Sequence, residues 1–233
     1  MKNNIIIACD FNNKQELTTF LNNFKSEKLF LKLGMELIYS EGLEIINELK
    51  QQGHQIFLDL KLHDIPVTVK KALQSLSQYQ IDMLTIHLAS GKEALQLTSI
   101  LAKQHNIKLL GVTVLTSLDN SDLQEMFLSD TLTSEALVLN FAKLAVDANY
   151  YGVICSPLEA QQIKAQYPQL KTITPGIQLS TTQTDQKRVA SPAIAREYQA
   201  DYLVVGRAIT TASDPYQTYH QIYEEFNQER KIK

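Results

Sequence analysis

Asp59, Lys61 and Asp64 fall within six residues of the run "FLDLKLHDIPVTV" (57–69), among Phe57, Leu58, Leu60 and Leu62. A run that reads as a buried strand carries three charges at its end. Residues two apart on a strand leave the same face, so Asp59 and Lys61 are expected to point together and the leucines to take the opposite face. A single such pair reads equally well as a structural ion pair. Burying ion pairs, however, gains little stability over packing apolar side chains. The same alternation recurs at two other strand ends, with Asp10 closing "IIIACD" and Lys32 inside "FLKLG". Two lysines and three aspartates gathered at three neighbouring strand ends point to catalysis by charged side chains. A metal centre would need His and carboxylate ligands converging around an open position. The interleaved lysines already neutralise the charge that would hold a cation, so no metal is expected.

The elements that must position these groups are eight short runs: 5–10, 30–34, 55–62, 83–88, 109–115, 152–156, 171–177 and 202–209. They are continuously apolar rather than alternating, as parallel strands covered by helices are. The segments between them are helical in pattern. Leu17, Phe20, Leu21 and Phe24 form one stripe at i, i+3, i+4 and i+7, and Leu43, Ile46 and Leu49 repeat a spacing of three before Gly53. Eight β/α units in 233 residues predict an α/β fold, a single (β/α)8 TIM barrel over 1–233. A doubly wound sheet is the competitor. It would show a glycine-rich turn after the first strand, and "ACDFNNKQE" has none. The polar, Thr-rich stretch between strands seven and eight is read as a lid at about 176–191, not as a domain boundary.

In such barrels the active site lies at the C-terminal ends of the strands. There the chain offers Asp10, Lys32, Asp59, Lys61, His87, Thr116, Ser156, the pair Pro175-Gly176 and the pair Gly206-Arg207. The loops after strands seven and eight commonly hold a phosphate. Here they read "TPGI" and "VGRAI", with glycines that let the backbone approach an anion and Arg207 as a bidentate fork. A phosphorylated substrate is therefore expected. His63 alternates away from Lys61 and is read as a packed or capping histidine. His87 is left open between facing the site and packing.

Composition narrows the classes further. A net charge of −3, with Lys and Arg scattered apart from the tail at 230–233, gives no reason to bind nucleic acid or an anionic membrane. The N-terminal "MKNNIIIACD" carries only a five-residue apolar run, which reads as a strand rather than a secretion signal, and no run approaches a membrane span. Cys9 and Cys155 sit in strand-like runs and are expected to be buried thiols of a cytoplasmic protein.

"LDLKLHDIP" resembles the D-x-K-x-x-D signature of the orotidine 5′-phosphate decarboxylase family, whose members convert orotidine monophosphate to UMP. The resemblance runs through "ACD", "LKLG", "GVTVLTS", "TPGI", "DQKRVASP" and "VVGRAI" in the family's order. The signature alone is shared with a wider superfamily that includes the 3-keto-gulonate 6-phosphate decarboxylases, the alternative reading. "HDIP", "VLTS" and "DQ" favour the first.

The resemblance implies that Lys61 is the catalytic lysine and that Asp59 lies beside the departing carboxylate. Lys32 is charge-coupled to both. Asp64 and Thr68 are contributed across the interface of a homodimer. Asp10 and Lys32 bind the ribose and Thr116 the pyrimidine. Gln186, Gly206 and Arg207 bind the phosphate, with Pro175 and Gln178 also at the substrate. Many relatives carry an arginine where this chain has Gln178. No cofactor or metal is implied.

Overall fold

Eight parallel strands pair in sequence order and close on themselves, so that β8 completes the ring beside β1. The computed structural model describes residues 4–25, 27–179 and 190–228. Along the chain run β1 (Ile5–Ala8), α1 (Lys14–Leu21), β2 (Phe30–Gly34), α2 (Met35–Glu41), α3 (Glu44–Gln51), β3 (Gln55–Leu62), α4 (Pro66–Leu76) and β4 (Met83–His87). There follow α5 (Lys92–Gln104), β5 (Lys108–Val112), α6 (Asn120–Phe127), α7 (Ser134–Asp147), β6 (Gly152–Ile154) and α8 (Pro157–Gln166). Last come β7 (Lys171–Thr174), α9 (Pro192–Glu197), β8 (Tyr202–Val205), α10 (Arg207–Thr210) and α11 (Pro215–Asn227). This is the expected (β/α)8 barrel.

The strand alternation builds two cores. Ile5, Ile7 and Cys9 of the first run join the large outer cluster, together with Leu31, Leu33, Ile56, Leu58, Leu84 and Ile86, against the helices. Ile6, Ala8, Phe30, Phe57, Met83, Leu110, Ile173 and Val204 pack together as a smaller cluster that fills the barrel's interior. Within that interior the chemistry changes with height. Two residues beyond Phe30, Phe57 and Met83 stand Lys32, Asp59 and Thr85, all buried. The barrel is thus apolar at its floor and polar at its open end.

The floor is closed by its own polar ties. The hydroxyls of Tyr151 and Tyr202 lie 2.8 Å apart, with Lys108 Nζ 5.0 Å from the centre of the Tyr151 ring. Asp201, just before β8, meets Lys164 at 2.6 Å and Lys171 at 2.9 Å, and its second oxygen also accepts from Thr172 N. Burial opposes the charge on Asp201, but these donors overcome it and hold its carboxyl below the usual carboxylate range. Asp82, just before β4, accepts from Lys50 at 2.8 Å and from Ile56 N at 2.7 Å. These pairs tie strand starts together and are remote from the open end.

Several strands end earlier than their apolar runs. β1 stops at Ala8, β5 at Val112, β6 at Ile154, β7 at Thr174 and β8 at Val205, where α10 begins at once. The runs continue because the residues after the strands stay buried: Cys9, Val114, Cys155 and Ile177 are at most 6% exposed. They pack the barrel's upper rim just past the strands, with Cys9 N still donating to Lys32 O and Cys155 N to Ile173 O. The first helical stripe is also shorter, with α1 ending at Leu21 and a 3-10 turn at Asn22–Phe24 burying Phe24. Cys9 and Cys155 are both buried thiols outside any disulfide. Among the described residues no helix is long and apolar enough to cross a membrane. The tail at 230–233 lies outside the described residues.

Candidate active site

β3 departs from a regular strand where its charges stand. It pairs with β4 at Phe57↔Met83 and Leu58↔Leu84, then resumes only at Leu62↔Ile86. Asp59, Leu60 and Lys61 therefore stand opposite the single residue Thr85. Lys61 absorbs the excess with a left-handed backbone, φ 50°, a conformation that costs a non-glycine residue about 1–2 kcal/mol. Asp59 and Lys61 still leave the same face, as the strand alternation expects, and the bulge adds a local turn of the backbone at Lys61. Leu60 and Leu62 are partly buried against the outer cluster, on the helix side.

The charges form one row across three strands. Lys32 Nζ donates to Asp10 Oδ1 at 3.0 Å and stands 3.6 Å from Asp59 Oδ2, to which Lys61 Nζ donates at 2.9 Å. Asp59's other oxygen, Oδ1, accepts from the Thr85 hydroxyl at 3.0 Å, and that hydroxyl accepts from Lys61 N at 2.8 Å. Burial opposes the charge of Lys32, but the carboxylates of Asp59 and Asp10 outweigh it and raise its pKa. Burial likewise opposes ionisation of Asp59, but Lys32, Lys61 and the Thr85 bond hold its carboxyl below the usual range. The row is alternately signed, and the pairings keep its two inner members ionised.

The row forms one wall of a cavity of about 740 Å³ at the open end of the barrel. Asp10, Lys32, Asp59, Lys61, Thr116, Pro175, Gly176, Gln178, Gly206 and Arg207 all line it. Acid and amine therefore stand on the wall of β1 to β3, and the glycine loops and Arg207 border the same cavity from β7 and β8. Gln178 N donates to Ala190 O and Ala190 N to Gly176 O, joining the two flanks of the stretch read as a lid. Gln186 and residues 180–189 of that stretch lie outside the described residues.

Asp64 and Thr68 are not brought to this cavity within their own chain. Both are exposed, and Asp64 Oδ1 accepts from the adjacent Ile65 N. The two histidines do not line the cavity either. His63 is exposed and stacks on His87, with ring centres 4.9 Å apart at 18°. His87 Nδ1 accepts from Ala89 N, and its ring meets Phe141 edge-on. Burial first, then the proximity of His63 and Lys61, lowers the pKa of His87. Packing is therefore the role that the structure gives His87. Among the described residues no group of three or more His, Cys, Asp or Glu side chains could hold a metal ion.

Two residues of the site escaped the sequence. Thr85 was signalled by a hydroxyl on the inward face of an otherwise apolar run, "MLTIHL". Gly34 could be found only in three dimensions. A Cβ there would stand 2.9 Å from Asp10 Oδ1 and 3.3 Å from Lys32 Nζ. Its backbone, φ −93° and ψ −177°, is extended and open to any residue. Space, not conformation, is what asks for glycine.

A family model described as Orotidine 5′-phosphate decarboxylase / HUMPS family matches residues 3–222. Among curated relatives, the orotidine 5′-phosphate decarboxylase of Malacoplasma penetrans is 42% identical over 222 residues, covering 94% of this chain and 96% of the relative. That of Listeria monocytogenes is 44% identical over 234 residues, covering 97% and 99%. Among solved structures, orotidine 5′-phosphate decarboxylase from Lactobacillus acidophilus superposes with a TM-score of 0.87 at 35% identity, covering 97% of this chain and all of that one. The Methanocaldococcus jannaschii enzyme, solved with the inhibitor BMP, has a TM-score of 0.78 at 21% identity over 97% of this chain and 99% of that one, a likeness of fold.

Proposed function

The chain belongs to the orotidine 5′-phosphate decarboxylase / HUMPS family, and we propose that its cavity decarboxylates orotidine 5′-phosphate to UMP and CO2 with Lys61 as the proton donor. It is a carboxy-lyase, and its relatives across the full length are named for this activity rather than for the sugar-phosphate alternative. One observation carries the mechanism: the row Asp10, Lys32, Asp59, Lys61 is assembled, paired and alternately signed on the wall of a cavity that Arg207 also lines.

Loss of CO2 from C6 of the pyrimidine leaves a carbanion that the ring stabilises poorly. A site that accelerates this must stabilise the transition state more than the bound substrate. Lys61 Nζ supplies positive charge at that carbon and then delivers its proton. Its pairing with Asp59 fixes the ammonium before substrate arrives, so little reorganisation remains for the reacting step. Asp59, beside the departing carboxylate, repels it in the ground state and is itself kept ionised by Lys32. Asp10 and Lys32 take the ribose hydroxyls, Thr116 the pyrimidine, and Gly206, Arg207, Gln186 and Gln178 the phosphate side, with Pro175 shaping the loop. Binding energy from the remote phosphate serves the chemistry at C6. The reaction needs no metal or cofactor.

The working unit is a homodimer in which Asp64 and Thr68 reach the partner's cavity. Their exposure, and their removal from the cavity of their own chain, support this. Ile65 and Val67 beside them are 67% and 55% exposed, an apolar pair that a second copy would cover. Buried thiols at Cys9 and Cys155 fit a reducing compartment, and we place the enzyme in the cytoplasm. The test is spectrophotometric loss of orotidine 5′-phosphate with purified protein in the presence of a chelator. Turnover to UMP is expected, and an inactive folded protein would overturn the assignment.

A further inference from the structure

The geometry points to Thr85 as the positioning residue of the reacting pair: its one hydroxyl sets both the carboxylate of Asp59 and the backbone from which Lys61 projects. This rests on the proposed reaction and deepens it. Thr85 is fully buried in β4, the lone residue opposite the three-residue bulge of β3. A bulge leaves its extra residues without ladder partners, and a buried N–H must find an acceptor elsewhere. Lys61 N finds the Thr85 oxygen at 2.8 Å.

The same hydroxyl then has one proton to give, and gives it to Asp59 Oδ1 at 3.0 Å. That leaves Oδ2 to Lys61 Nζ at 2.9 Å and Lys32 Nζ at 3.6 Å. The two carboxylate oxygens are thus divided between a neutral donor and two cations, which fixes the plane of the carboxylate. Lys61 is held at both ends, its backbone N–H by Thr85 and its ammonium by the aspartate that Thr85 orients. A side chain without the hydroxyl would free the carboxylate to rotate and would orphan an N–H in a left-handed residue.

Thr85→Val removes the hydroxyl and keeps the shape, and Thr85→Ser keeps the hydroxyl and removes the methyl. With orotidine 5′-phosphate, the Val variant is expected to lose about 10- to 100-fold in kcat with KM changed less than about threefold, because the pair acts on the transition state. UMP should still bind the Val variant within about threefold of wild type, showing an assembled cavity. The Ser variant should recover most of kcat. Should the Val variant not fold, Thr85→Ala is compared with Ser in its place, and the same contrast is expected. A Val or Ala variant that binds UMP and keeps kcat within about threefold of wild type would overturn the role. So would a Ser variant as impaired as Val, which would assign the loss to methyl packing. Inactivity of the wild-type protein would instead overturn the reaction, so the two failures are distinct.

Discussion

Gly34→Ala should damage the protein's activity while costing it little stability. The new Cβ would lie 2.9 Å from Asp10 Oδ1, where a relaxed contact needs roughly 3.5 Å. Asp10, with half of its side chain exposed, can swing away, so the backbone need not move. That swing of about 0.6 Å takes the 3.0 Å bond between Lys32 and Asp10 to about 3.6 Å, outside hydrogen-bonding range. A bond between charged groups contributes about 1.5–3 kcal/mol, and solvent at the exposed partner reduces this to about 1–2 kcal/mol. The expected fall in kcat/KM is therefore roughly 5- to 30-fold. Meanwhile alanine at an unstrained position stabilises by about 0.4–1 kcal/mol through the unfolded chain, which offsets part of the lost ion pair, so Tm should fall by no more than about 6 °C. The assay is initial-rate decarboxylation of wild type, Gly34→Ala, Asp10→Ala and the double variant, with thermal melts of each. If glycine serves to leave room for Asp10, adding Gly34→Ala to Asp10→Ala should change kcat/KM by less than about twofold. A full loss repeated in the Asp10→Ala background, or a Tm in Gly34→Ala that falls by much more than about 6 °C, would refute the reasoning.

Lys61→Ala should fold normally and lose more than about 100-fold in kcat/KM, ~2.7 kcal/mol of transition-state stabilisation, as steady-state rates will show. Arg207→Ala should raise KM and lower kcat for the nucleotide while hardly affecting a substrate without the phosphate; equal losses for both would remove Arg207 from the phosphate. Mixing inactive Lys61→Ala and Asp64→Ala homodimers should restore about a quarter of wild-type activity once subunits exchange, because each hybrid has one intact site. No recovery after exchange verified by mass spectrometry would return Asp64 to its own chain. Asp201 has a folded-state pKa below the unfolded ~3.9. The stability it adds is therefore complete above about pH 4 and is lost as pH falls through the lower folded value. Asp201→Asn should accordingly melt lower at pH 7 and show a shallower decline on acidification than wild type.

The barrel was legible because each strand is buried on two faces, which writes continuous apolar runs into the sequence. The charges at Asp10, Lys32, Asp59 and Lys61 stood out against that background, and all four line one cavity. What the sequence left dark has a common cause. Strand ends are set by pairing, not by hydropathy: Val114 and Cys155 remain buried after their ladders stop, and the Thr113 hydroxyl, just past β5, donates to Ile154 O instead of continuing one. The bulge at Asp59–Lys61 depends on the register of β3 against β4, which neither strand specifies alone. Gly34 is explained by Asp10 at the end of the neighbouring strand and by Lys32 two residues before it, which meet above it only in the folded chain. Asp64 and Thr68 carry no signal of their own for the cross-interface role proposed for them; only the resemblance supplied it.

Among the described residues, the closed floor leaves this barrel open at its other end. Ile6, Phe30, Phe57, Met83 and their neighbours stopper the axis above the Tyr151–Tyr202 pair, so in the proposed reaction the gas released beside Lys61 has no drain beneath it. Carbon dioxide must leave past the nucleotide, through the opening by which that nucleotide came in. If Lys61 is the proton donor proposed above, traffic at the mouth sets a race at the reacting carbon, between delivery of that proton and recapture of a molecule that has not yet escaped.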